Sequence, residues 1–160
     1  MNPVLPESIG NLQALEKLVL YGAQVPDTPF RSDLQPKERH KFPAGMSRLK
    51  NLVYLDLGHN ELDEIPLFVK DLPRLRELRF AWNMQLKEIP RFLTDLHELT
   101  TLNLDSNGLT DLPDFLKTLP KLSRISLGNN CAITQSPSKM RRLKKRFPRV
   151  SFSFEGEYDC

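Results

Sequence analysis

Leu52-Val53-Tyr54-Leu55-Asp56-Leu57-Gly58-His59-Asn60 decides the fold of this chain. Leu55 and Leu57 stand two apart between residues of another kind, the period of a short strand with one buried face. An asparagine follows three residues later. The spacing LxxLxLxxN returns with Leu75, Leu78 and Phe80 before Asn83, with Leu99, Leu102 and Leu104 before Asn107, and with Leu122, Ile125 and Leu127 before Asn130. An earlier block, Leu15, Leu18 and Leu20, has Ala23 where asparagine is expected. A degenerate last block, Phe147, Val150 and Phe152, starts 25 residues after Leu122. Prolines keep the same beat at Pro6, Pro43, Pro66, Pro90, Pro113 and Pro137, with gaps of 37, 23, 24, 23 and 24.

A strand this short cannot bury its apolar face alone, but parallel copies stacked one on another build a continuous core. The segment after each asparagine, such as Ile65–Leu72, returns the chain along the other side. Its proline forbids a central strand there and suits the first turn of a short helix. Asn60, Asn83, Asn107 and Asn130 form a column whose amides can pair with backbone groups of neighbouring turns.

On these motifs the chain resembles the leucine-rich-repeat family, in its class of roughly 23 residues with LP or IP after the asparagine. Its general look is that of intracellular and bacterial members, over about residues 4–154. The resemblance implies an α/β fold: a right-handed solenoid, a curved parallel β-sheet of about six strands on the concave face, short helices or turns on the convex side, and a role in protein recognition. The whole of 1–160 reads as one domain. Residues 4–25 are a first repeat and 42–135 the regular repeats. Residues 136–154 are a C-terminal capping helix and strand, starting at Ser136-Pro137, and 155–160 are a flexible acidic tail.

Two departures interrupt the pattern. Residues 26–41 are a polar, proline-broken insertion, expected to be a surface loop. Asn83-Met84-Gln85-Leu86 carries one extra residue, expected as a local bulge. At the N-terminal end the strand at Lys17–Tyr21 is expected to be an uncovered edge. The sequence therefore reads either as a fragment of a larger effector or signalling protein, or as a chain in which that edge is covered or self-associates.

In the family, residues flanking the strand leucines point to the concave face. That implies four columns: Lys17, Tyr54, Glu77, Thr101, Arg124 and Arg149; Val19, Asp56, Arg79, Asn103, Ser126 and Ser151; Tyr21, Gly58, Ala81, Asp105, Gly128 and Ser153; Gly22, His59, Trp82, Ser106, Asn129 and Phe154. The candidate protein-binding set is Tyr21, Tyr54, Asp56, His59, Glu77, Arg79, Trp82, Asn103, Asp105 and Arg124. Tyr54, Arg79 and Trp82 are its centre, since tyrosine, tryptophan and arginine dominate binding hot spots. Asp56 and Arg79 are expected to pair across adjacent strands.

Charge and composition narrow the remaining classes. With 39% hydrophobic and 27% charged residues the chain is globular rather than disordered. A net charge of +3 is too small to imply nucleic acid or membrane by itself. Seven cations between Lys139 and Arg149, with no acid among them, are the exception. They keep nucleic-acid or anionic-lipid binding open as a second reading, against a solvated face on a capping helix. No apolar run is long enough to span a membrane, and no secretion signal is visible. The cytoplasm is slightly favoured, with a secreted effector as the alternative. Cys131 and Cys160 are too few for a disulfide framework. No nucleophile motif, metal-ligand spacing or phosphate loop appears, so a non-enzymatic module with no cofactor or metal is expected.

Overall fold

The structure, a computed structural model, describes residues 5–22 and 42–155. The 26–41 insertion, Ala23 and most of the acidic tail lie outside the described residues. Six short strands form one parallel sheet in chain order: β1 (Lys17–Val19), β2 (Tyr54–Asp56), β3 (Glu77–Arg79), β4 (Thr101–Asn103), β5 (Arg124–Ser126) and β6 (Ser151–Ser153). The central residues Leu55, Leu78, Leu102 and Ile125 are buried, and so are Leu57, Phe80, Leu104 and Leu127 two positions on. Period-two sequence thus becomes one dry face, while the residues between stay on the open face.

The return segments are five-residue 3₁₀ helices: Glu7–Asn11, Ala44–Arg48, Leu67–Asp71, Arg91–Asp95 and Asp114–Thr118. Each follows a proline in extended conformation, which stops the strand-side backbone and fixes the entry to the turn. The first two abut so closely that a Cβ on Gly45 would lie 2.3 Å from the Glu7 carbonyl oxygen. Glu7 also accepts hydrogen bonds from the Ala44 and Gly45 amides, joining the two sides of the insertion.

The asparagine column runs through the interior. Each amide nitrogen reaches its own turn and the preceding one: Asn60 to Leu20 O and Leu57 O, Asn83 to Leu57 O and Phe80 O, Asn107 to Phe80 O and Leu104 O, Asn130 to Leu104 O and Leu127 O, at 2.8–3.1 Å. The amide oxygens accept from the turn before, as Asn83 Oδ1 does from the Asn60 and Leu62 amides. The extra residue after Asn83 is absorbed in a turn that turns Met84 outward and leaves Leu86 in the core.

The last turn differs from the repeat reading. Two α-helices, α1 (Cys131–Thr134) and α2 (Pro137–Arg146), replace the 3₁₀ segment. Ser136 caps α2, accepting from the Lys139 amide, and Pro137 opens it. Leu143 and Phe147 are buried against the core. Because this connection uses more residues, Ile125 pairs with Phe152, not Val150. The open-face columns therefore end on Ser151 and Ser153, beside Arg124 and Ser126. The Arg149 assignment to the first column is corrected accordingly.

Candidate functional site

The open face of the sheet holds two groups of side chains. At the strand starts, Tyr54 is overlaid by Lys17 Nζ at 4.5 Å and Arg79 Cζ at 5.4 Å from its ring centre. Arg79 Nε donates to Glu77 Oε1 at 2.7 Å, so the expected Asp56–Arg79 pair gives way to a pair within one strand. Glu77 is two residues away on the same face, where a short, direct bond closes without crossing the sheet. Burial of the Tyr54 phenol raises its pKa; the Arg79 charge opposes this, and Asp56 and Glu77 reinforce it. Arg124 donates to Thr101 Oγ1 at 3.3 Å, further along the same row.

Beyond the strand ends lies an aromatic row. The His59 ring sits between Tyr21, 5.5 Å away, and Trp82, 6.4 Å away. Tyr21 lies over Gly58, where a Cβ would come within 2.8 Å of its ring. His59 and Trp82 adopt positive φ, 57° and 61°, and the column continues with Gly22, Ser106 and Asn129 in the same left-handed conformation. For a bulky side chain such as tryptophan that conformation is an outlier.

Tyr21 and Trp82 of this row, but not His59, line a trough of about 580 Å³ together with Asp56, Arg79, Ala81, Asn103, Asp105, Ser106, Asn129 and Glu155. Asp56 Oδ1 accepts from the Gly58 amide at 2.9 Å, and its Oδ2 lies 3.4 Å from the Tyr54 hydroxyl. Asp105 Oδ1 accepts from Ser126 Oγ at 2.5 Å and the Gly128 amide at 2.7 Å, while Asn103 Oδ1 receives the Asp105 amide. Tyr54, placed with Trp82 by sequence, belongs to the strand-start group and does not line the trough. Ala81, Ser106, Asn129 and Glu155 do line it, though the candidate set omits them. The column assignment contains the first three, but a search for large side chains passes over them.

Two family models match the chain: "Leucine Rich Repeat" over residues 51–72 and "Leucine Rich repeats (2 copies)" over 73–117. The chain is a leucine-rich-repeat protein. A comparison with curated proteins finds no match. Among solved structures it is similar to a leucine-rich-repeat protein of Leptospira interrogans, with 28% identity and a TM-score of 0.64, over 94% of this chain and 40% of that one. It is similar to internalin C2 of Listeria monocytogenes, with 24% identity and a TM-score of 0.60, over 94% and 57%. It is also similar to the plant peptide hormone receptor RGFR1 in complex with RGF2, with 19% identity and a TM-score of 0.58, over 96% and 22%. The chain thus spans less than two thirds of each of these proteins, and the last two likenesses speak to fold alone.

In this leucine-rich-repeat protein the basic helix α2 is largely engaged with the turn before it. Arg142 and Arg146 both reach Asp111, at 3.1 and 3.0 Å, and Arg146 also donates to the Leu112 carbonyl. Lys139 and Arg149 donate to the carbonyls of Thr110 and Lys117. Lys144 lies over the Phe154 ring. Burial pushes the Asp111 pKa up, but the Arg146 hydrogen bond, the Leu112 amide and the arginine charges together hold it below its ordinary value. Cys131 opens α1, and the other cysteine, Cys160, lies outside the described residues. Among the described residues no group of three His, Cys, Asp or Glu is placed to hold a metal. No helix among them is long and apolar enough to cross a membrane.

Proposed function

We propose that this leucine-rich-repeat protein is a non-enzymatic module that binds another protein on the open, concave face of its sheet, through the trough beside Tyr21, His59 and Trp82. The observation that carries this reading is Trp82. Its indole is only partly buried, and its backbone adopts a conformation that glycine and asparagine hold with less strain at the equivalent positions Gly22 and Asn129. A strained, partly exposed tryptophan that lines a cavity supports a role in recognition. The anchored cations of α2 favour a capping role over nucleic-acid or lipid binding.

The test is capture. Wild type, a Tyr21→Ala/Trp82→Ala variant and a Tyr54→Ala/Arg79→Ala variant serve as baits. The first variant is expected to stay folded with a modest loss of stability and to lose at least ~10-fold in affinity for the wild-type prey, about 1.4 kcal/mol. The second is expected to lose less, because only Arg79 of that pair lines the trough. Equal capture by all three baits would remove the proposal.

A further inference from the structure

We infer that the trough receives a basic segment of the partner, an extended stretch with two arginine or lysine side chains three or four residues apart. This rests on the reading of the open face as the protein-binding surface and names the chemistry it selects. Three carboxylates line the cavity, Asp56, Asp105 and Glu155, against one guanidinium, Arg79, which Glu77 already holds. Neither Asp56 nor Asp105 meets a cation within salt-bridge distance among the described residues. Both are oriented in advance: the Gly58 amide fixes Asp56, and Ser126 with the Gly128 amide fixes Asp105. Aromatic rings stand at the cavity edge in Tyr21 and Trp82. An aromatic face beside an unneutralised carboxylate is the pairing that a guanidinium or ammonium fits, through the ring quadrupole on one side and charge-assisted hydrogen bonds on the other.

The spacing follows from the sheet. Asp56 ends β2 and Asp105 stands two residues past the end of β4, so two strand intervals of about 4.8 Å across the sheet and about 6.6 Å along it separate them, roughly 12 Å. Between them the floor is Ala81, too small to fill the space. An extended chain advances about 3.3 Å per residue, so cations three or four residues apart span that gap. The molecule as a whole carries +3 and repels basic ligands at long range. Selection of a basic ligand would therefore report the trough rather than general charge.

A random dodecapeptide phage library selected on the full chain tests this. Selected peptides are then titrated as synthetic peptides against Trp82 fluorescence, which is specific because Trp82 is the sole tryptophan. The expected result is enrichment of paired Arg or Lys, with affinity falling at least ~10-fold in Trp82→Ala, read by fluorescence polarisation of labelled peptide, and in Asp56→Asn/Asp105→Asn. Peptides that need Trp82 but are neutral or acidic, or that ignore the two Asn substitutions, overturn the basic occupant and leave the open-face reading standing. A selection that yields no Trp82-dependent peptide overturns both. Dimerisation of the chain that Trp82→Ala abolishes overturns the partner chemistry in favour of a second copy.

Discussion

Two adjacent columns of this solenoid follow opposite rules. Asn60, Asn83, Asn107 and Asn130 are one residue type in one environment, buried and bonded to two turns each. The column immediately before it holds Gly22, His59, Trp82, Ser106 and Asn129, five residue types sharing one backbone conformation with φ between 54° and 64°. In the first column the backbone's unsatisfied carbonyls and amides dictate the side chain. In the second the backbone favours glycine or asparagine, and three of the five positions go against it. Where a chain obeys a local demand at every repeat, the residue serves the fold. Where it departs from that demand at a position that keeps some exposure, as at His59 and Trp82, the side chain serves recognition under the proposed function.

The largest effect expected from this contrast lies in the first column. Asn83→Ala removes donors to Leu57 O and Phe80 O and leaves the Asn60 and Leu62 amides without their acceptor. Each orphaned buried group costs about 1–3 kcal/mol, so a loss of about 3 kcal/mol in urea unfolding is expected. Unchanged stability would mean that water or a neighbouring group replaces the ladder, and the distinction between the columns would lose its structural half.

The regular repeats were the legible part. Leu55, Leu78, Leu102 and Ile125 fall in register because the turns from Leu52 to Leu127 repeat every 23 or 24 residues and period two assigns each side chain a face. β6 was misplaced by two residues because Phe147, Val150 and Phe152 reproduce the apolar spacing by coincidence, while the longer helical connection shifts the pairing to Phe152. The Asp111–Arg146 contact was hidden by a separation of 35 residues. Columns on the open face could be listed from sequence, but which members share a cavity could not. Arg79 chooses Glu77 over Asp56 by side-chain geometry, and that choice separates Tyr54 from Trp82.

A smaller effect belongs to residues held by surface partners rather than by the backbone. Asp111 has a folded-state pKa below its unfolded value of about 3.9. The stabilisation from its contacts with Arg142 and Arg146 is therefore complete above the unfolded pKa. It is lost as pH falls through the folded one. The amides of α2 and β6 should gain in hydrogen exchange on acidification below about pH 4, relative to those of β2–β4. Asp111→Asn should show the faster exchange already at neutral pH and respond less to acid. If wild type and variant respond to acid alike, the cap is held by Leu143 and Phe147 alone.

The smallest effect is the most discriminating, because its sign is unusual. A tryptophan in a core loses about 3–5 kcal/mol on truncation. Trp82 instead sits at φ 61°, where an L-residue is strained by roughly 1–2 kcal/mol relative to glycine. Trp82→Gly gives up ring contact with His59 and gains unfolded-state entropy, but it relieves that strain, so stability should stay within about 1 kcal/mol of wild type. Trp82→Ala removes the same ring and keeps the strained backbone. It should be the less stable of the two, the reverse of the alanine-over-glycine order in helices and strands. Asn129→Gly supplies the comparison within the column: asparagine already tolerates the left-handed region, so its gain should be smaller than the gain from alanine to glycine at position 82. The measurement is the urea midpoint of the four proteins at one pH. If Trp82→Gly falls by 3 kcal/mol or more, the indole is packing, and the second column serves the fold as the first does.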